Sequence, residues 1–451
     1  MAARSGAVWA LAIVLSLALL IAPAIWNGFP LLQYDTGGYL ARWYEGYLVP
    51  SRAVVYGLIL LAGVPLSFWP VLIAQSAVTI WILALTLRAH GLGRRPLVLL
   101  AIVVTLSLLT TLPWLTAILL TDIFCGTAIL GLYLLLLRGN SLGPGEQLGV
   151  VVLIAVAVAT HSATLAVLTA LLATAFLLFV IDRRRISLAA LGHGFAALVL
   201  GAALVFAVDF AVAKRLAWTP GGFALSFGRM LQDGIVSRYL DDHCPDPKLT
   251  LCAYKDQLPH NADMWFWGSK LFDRLGRFNG LGKEMEKIAL DSVLDYPWMQ
   301  IRTAAADSAE QLIEVHTGEG VVSWVWHTYF IVQHYTPQLL PTMWAARQQK
   351  GEISFSAINT VQYPVGLLSM ALLPAILLLA ATGLLSRESG ELAATIALAI
   401  LANAFVCGAL SGPHDRYGAR VVWLATFAVI VAVGEFVTRR DPRLGAATKL
   451  P

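Results

Sequence analysis

The chain has 451 residues, 58% of them hydrophobic and 13% charged, and a formal net charge of +4. Soluble domains carry roughly a quarter charged residues, so this composition and a mean hydropathy of +0.73 exclude an ordinary globular protein and indicate a polytopic membrane protein. The Lys and Arg sit in short clusters beside apolar runs and form no single basic face, which argues against nucleic acid as a partner.

The first 26 residues, MAARSGAVWALAIVLSLALLIAPAIW, begin basic and contain an APA-like site, as a signal peptide does. Their apolar stretch of about 19 residues is as long as a membrane span, and 7–25 is therefore expected to be the first transmembrane helix. Next comes NGFPLLQYDTGGYLARWYEGY, with Asp35 among glycines and an aromatic set of Tyr34, Tyr39, Trp43, Tyr44 and Tyr47. Segment 53–69 has an apolar core of only about 13 residues before Pro65, too short for a hydrocarbon layer of ~30 Å, and is expected to be interfacial or re-entrant. Further spans are expected at 70–88, 96–112, 121–138, 147–160, 163–181, 189–212, 364–384, 391–410 and 420–438, about ten in all.

Basic flanks orient the scheme. RAHGLGRRP, Arg138, DRRR at 182–185, Arg387 and the tail TRRDPR all fall on one side, which the positive-inside rule makes cytoplasmic. The other side receives 26–69, 113–120, the tight turn at His161, the long insert 213–363, and 411–419. The expected architecture is an all-α polytopic membrane protein in three parts: an N-terminal transmembrane module (1–212), an external, mainly helical domain (213–363) and a C-terminal transmembrane module (364–451). Within the insert, KEMEKIALDSVLDYPWMQIRTAAADSAEQLIEV reads as amphipathic helices, with no alternating strand pattern and no fixed-period repeat. Cys244 and Cys252, in DDHCPDPKLTLCAYKD, suit a local disulfide in an oxidising compartment; Cys125 and Cys407 lie in apolar runs as packing residues. No CxxC pair or His-rich zinc spacing occurs.

Ionisable groups at membrane depth are costly and call for an explanation. Asp35 follows the first span, Asp122 opens the fourth, His161 lies in ATHSATL, and His414, Asp415 and Arg416 lie in GPHDRYGAR before the last span. All fall at the external ends of their helices. Each has a plain structural reading: Asp35 in an Asx turn, Asp122 as a helix cap, His161 as a polar turn residue, and Arg416 and Arg420 as interfacial anchors or partners of Asp415. Together they describe a transfer site, in which a carboxylate deprotonates an acceptor and an arginine fork binds a phosphate. Tyr34 and Tyr39 suit either an interfacial aromatic belt or stacking on a sugar.

FPLLQYDTGGYLARW after the first span and LLTDIFCGTAILGLYLLL opening a later one resemble the GT-C glycosyltransferases, membrane enzymes that take sugars from polyprenyl-phosphate carriers on the external face. The resemblance covers the N-terminal 200 residues or so. It implies a GT-C-like fold, Asp35 and Asp122 as catalytic acidic residues, and Tyr34, Tyr39, His161, His414 and Arg416 as substrate-binding residues. It further implies a polyprenyl-phosphate-linked sugar donor, an envelope glycan or lipid acceptor, and a site on the external face of a bacterial inner membrane. No Asp-x-Asp pair occurs in the first external loop, so no metal ligands are assigned and a divalent metal stays open without the support of such a pair. Two other readings remain open. An O-antigen polymerase or ligase would use residues of the insert such as Arg229, Arg238 or His243, and a lipid or solute transporter would place ionisable groups near mid-membrane.

Overall fold

The computed structural model describes residues 2–46, 48, 53–93, 95–216, 218 and 222–440. Tyr47, Arg94 and the end of the TRRDPR tail lie outside them. The elements are helical throughout, and the described residues contain no strand beyond one isolated bridge. In chain order the helices are α1 (Ala2–Asn27), α2 (Thr36–Glu45), α3 (Val54–Gly63), α4 (Trp69–Ala89), α5 (Pro96–Leu109), α6 (Leu112–Ala117), α7 (Asp122–Leu137), α8 (Pro144–Thr160), α9 (Ser162–Ile181) and α10 (Leu188–Ala213). There follow α11 (Phe223–Gln232), α12 (Ile235–His243), α13 (Lys270–Arg274), α14 (Arg277–Asp295), α15 (Pro297–Gln311), α16 (Trp326–Tyr335), α17 (Leu340–Ala345), α18 (Phe355–Ala381), α19 (Arg387–Ser411) and α20 (Asp415–Arg440).

Seven of these, α1, α4, α9, α10, α18, α19 and α20, are long and apolar enough to cross a membrane, which makes this a multi-pass membrane protein. Their outward faces remain apolar: Val14 on α1, Ile181 on α9, Phe195 on α10, Leu378 on α18 and Phe405 on α19 are all exposed. An apolar helix with an exposed apolar face needs lipid as its solvent. Three expected spans, α5, α7 and α8, have 14, 16 and 17 residues, fewer than the ~20 that a lipid-facing span requires. Of these α7 is encased: every residue from Asp122 to Leu135 is buried. Such a helix is solvated by protein along its length.

Helix limits differ from the apolar runs in two places that matter. Helix α18 starts at Phe355 and runs through Pro364 and Pro374, whereas the sequence reading begins the span at 364. A proline removes one backbone hydrogen bond, and membrane helices tolerate that where neighbours compensate. Helix α20 starts at Asp415, not 420, and so carries Arg416 and Arg420 on its first turns. Between α1 and α4, α3 is ten residues long, ~15 Å, and a 3-10 turn at Val64–Leu66 follows it. Gly57 admits α2 at close range, because a Cβ there would stand 2.2 Å from the Tyr39 carbonyl.

The apolar residues of 213–363 divide between two cores. Helices α11, α12 and α14 close around Phe227, Tyr239, Trp265, Phe272 and Ile288, with the Cys244–Cys252 disulfide at the edge of that cluster. Residues from Val325 to Ala346 instead join the main bundle core together with Leu31, Leu119 and Trp423. The loop after α1 is thereby held from two sides. Leu31 N–H donates to Ala117 O at 3.0 Å and Leu119 N–H donates to Leu31 O at 3.0 Å. The Gln348 amide exchanges hydrogen bonds with the Leu32 backbone at 3.0 and 2.7 Å. Thr36 Oγ1 donates to Leu119 O at 3.0 Å, so the start of α2 sits against the start of α7.

Candidate functional site

That arrangement brings Asp35, which precedes α2, and Asp122, the first residue of α7, to the same arginine on α20. Arg416 Nη1 donates to Asp35 Oδ2 at 2.6 Å and Arg416 Nε donates to Asp122 Oδ2 at 2.8 Å. The three residues span sequence separations of 381 and 294. One turn on, Arg420 presents the same helix face and lies 3.9 Å from Asp122 Oδ1. Arg420 Nη1 is 3.4 Å from His161 Nδ1, which links the tight turn between α8 and α9 to the cluster. Two carboxylates and two guanidiniums thus form one chain of balanced charge.

Burial makes that balance necessary. The side chains of Asp122 and Arg420 are 0% exposed, and those of Asp35 and Arg416 are 12% and 13% exposed. A buried charge without its partner costs several kcal/mol. Arg420 is held by Asn403 Oδ1, which accepts from its Nε and Nη2 at 2.9 and 2.6 Å, and by Cys407 Sγ at 3.2 Å. Asp122 Oδ1 accepts no hydrogen bond and faces only the more distant Arg420.

Around this chain stands a second pair. Glu319, between α15 and α16, accepts from the Arg416 backbone N–H at 2.7 Å and contacts His414 Nδ1 at 2.7 Å. Gln311 grips the His414 backbone at both groups, each at 2.9 Å. Burial opposes the charged imidazole, yet the hydrogen bond and charge of Glu319 hold His414 above the usual histidine range. Burial likewise works against ionised Glu319, and His414 with the Arg416 N–H outweighs it, holding the carboxyl below its usual range. Beside the cluster a small cleft is lined by Asp122, Glu319 and Arg416 together with apolar residues that include Leu31, Trp114 and Phe355. Chemically, such a cleft offers a carboxylate as proton acceptor, an arginine fork for phosphate, and an apolar surface for a chain or ring.

The site residues expected from sequence therefore separate. Asp35, Asp122, Arg416 and, through Arg420, His161 form one network, with His414 attached through Glu319. Asp122 lies in the first turn of α7 but makes no side-chain cap; its carboxylate is turned to Arg416. Asp35 likewise makes no side-chain cap for α2. Tyr39 departs from the expectation of a ring stacked on sugar: it is 1% exposed and meets Tyr56 edge to face at 5.3 Å, because α2 packs on α3 along that side. Tyr34 is exposed. Tyr44 stacks on Tyr335 at 4.5 Å, and Trp43 Nε1 donates to Val54 O at 2.8 Å, so both rings serve packing.

Glu319, Gln311 and Asn403 have no counterpart in the sequence reading, and Arg420 enters it only as an interfacial anchor or a partner of Asp415. The four-residue spacing of Arg416 and Arg420 was a usable signal for one helix face, as was a lone Asn403 inside ALAILANAFVCG. Glu319, in HTGEGVV, offered none. Comparison of the chain with protein-family models, with curated proteins and with solved structures finds no match.

Proposed function

We propose that this protein is an inverting membrane glycosyltransferase of the GT-C kind. It would move a sugar from a polyprenyl-phosphate-linked donor to an envelope glycan or lipid on the external face of a bacterial inner membrane. In this reading about ten helices span, the short α5, α7 and α8 among them, and the positive-inside rule puts the cluster on the external side. The observation that carries the reading is the convergence of Asp35, Asp122, Arg416 and Arg420 beside an apolar-walled cleft.

The chemistry follows from the charges. An acceptor hydroxyl oxygen bonds to the anomeric carbon and its proton passes to Asp35. The bond from that carbon to the phosphate oxygen breaks, and the electron pair leaves with the polyprenyl phosphate. Arg416 and Arg420 offset the charge on the leaving phosphate, and His161 and His414 contribute hydrogen bonds around it. Arg416 also pairs with Asp35. A donor phosphate competes for the same guanidinium, so donor binding frees the base.

The test is transfer by reconstituted protein supplied with polyprenyl-phosphate sugars. Asp35→Asn is expected to lower the rate by about 10²- to 10⁴-fold while the chain stays folded, because Arg416 retains Asp122. Wild-type transfer by that variant removes Asp35 as the base. The polymerase or ligase reading is less favoured. Arg229 is tied to Asp233, Thr303 and Gln300, Arg238 pairs with Asp242, and His243 stacks on Tyr239, so all three serve their own domain. For a transporter, the nearest candidates are Asp209 and Glu435, both close to the ends of their helices, and Glu435 is engaged by His90, Ser386 and Ser389.

A further inference from the structure

Where the segment after α15 crosses the first turn of α20, Glu314, His316 and Asp415 each bring one potential ligand atom to within 4.8 Å of the others. These residues belong neither to the arginine cluster nor to the Glu319–His414 pair. Asp415 Oδ1 accepts from the His316 backbone N–H at 2.7 Å and lies 2.7 Å from His316 Nδ1. The imidazole lies flat on the Tyr363 ring of α18, centroids 3.9 Å apart and planes 4° from parallel, which fixes its edge toward the two carboxylates. The backbone is shaped for the approach as well: a Cβ on Gly418 would stand 2.0 Å from the Glu314 carbonyl oxygen.

Charge accounting leaves the trio with an excess of negative charge. Asp35 and Asp122 face Arg416, Asp233 faces Arg229 and Glu391 faces Arg138. Among the described residues Glu314 and Asp415 pair with no lysine or arginine, and His316 is their one basic contact. Two carboxylates this close need a proton or a cation between them. All three side chains are partly exposed, so a cation from solution reaches them.

We propose that Glu314, His316 and Asp415 form a binding site for a transition-metal dication of the Zn2+ or Mn2+ class, which pins the segment after α15 to the start of α20. One imidazole with two carboxylates suits borderline Zn2+, and the carboxylate pair suits Mn2+, whereas Ca2+ and Mg2+ take shells of oxygen. The same two segments carry Glu319 and Arg416, so the ion stabilises the wall of the cleft. The proposal stands whether or not the protein transfers sugar.

Protein purified without a polyhistidine tag, stripped with chelator and held in detergent at pH 7, is titrated with Zn2+ by calorimetry and with Mn2+ by electron paramagnetic resonance. One ion per chain is expected. His316→Ala and Glu314→Gln are each expected to weaken binding by about tenfold or more, and Asp35→Asn to leave it unchanged. Glu314→Gln keeps the shape and hydrogen-bonding capacity of the site, so it decides the matter if His316→Ala fails to fold. Absence of stoichiometric binding, or undiminished affinity in Glu314→Gln, overturns the proposal.

Discussion

Replacing Arg416 with methionine removes one cation from between two buried carboxylates while keeping most of the side-chain volume. Each contact it makes is 2.6–2.8 Å long, and at an effective dielectric near 20 each charge pair is worth up to ~4 kcal/mol. Arg420 still offsets one carboxylate, so one negative charge is left uncompensated. The protein can escape by protonating it. From an unfolded pKa of ~3.9 that costs about 4 kcal/mol at pH 7 and about 1.5 kcal/mol at pH 5. The destabilisation is therefore capped near 4 kcal/mol at pH 7, in line with the ~3–5 kcal/mol typical of a broken buried pair. It shrinks by ~1.4 kcal/mol for each pH unit of acidification. The sign is fixed by linkage: a carboxyl whose folded pKa is raised keeps its stability below the unfolded pKa and loses it as pH rises. Reversible unfolding in mixed micelles across pH 5 to 7.5 reads this directly. Adding Asp35→Asn to the variant should recover most of the loss at pH 7. A loss that is the same at both pH values, together with additive effects of the two substitutions, refutes the reasoning.

Three other outcomes are expected. Glu319→Gln should lower the titration midpoint of His414, followed by NMR with labelled histidine. Because His414 is raised and Glu319 lowered, the stability lost in that variant is largest between their two folded values and fades as pH rises through that of His414. Cys244→Ser with Cys252→Ser opens a loop with a sequence separation of 8, for about 2–3 kcal/mol by chain entropy, measured as proteolytic sensitivity of 224–299 with unchanged zinc affinity. Gly418→Ala forces a methyl against the Glu314 carbonyl and should weaken Zn2+ binding and lower the thermal midpoint together, by calorimetry and scanning fluorimetry.

Much of this architecture could be read from the chain because lipid imposes a simple rule on long apolar helices, and α1, α4, α9, α10 and α19 obey it. The rule weakens where protein replaces lipid: α7 is buried on all sides at 16 residues, and its length says little about crossing. It also misplaced the start of α18, since Phe355–Tyr363 is too polar to count as span yet continues the same helix. The disulfide was legible from the local spacing of its cysteines. At the site, the carboxylates announced themselves by cost: Asp35 and Asp122 sit where a charge needs a reason. Their mutual approach was expected from their shared side of the membrane, but the contacts that produce it were not legible, because they depend on Gln348 and Leu119 clamping the first loop from residues 316 and 83 positions away. Glu319 was invisible for a related reason, since its partner His414 lies 95 residues on. The division of 213–363 between two cores also depends on such distant contacts, which a scan for composition averages away.

The most direct measurement is a cryo-EM map of the protein in lipid nanodiscs with a non-transferable polyprenyl-phosphate sugar. The account predicts phosphate density within hydrogen-bond distance of Arg416, on the side bearing the Cys244–Cys252 disulfide, with Asp35 released from the guanidinium. Phosphate density at the opposite end, beside His90 and Glu435, with the Asp35–Arg416–Asp122 contacts intact, would contradict it.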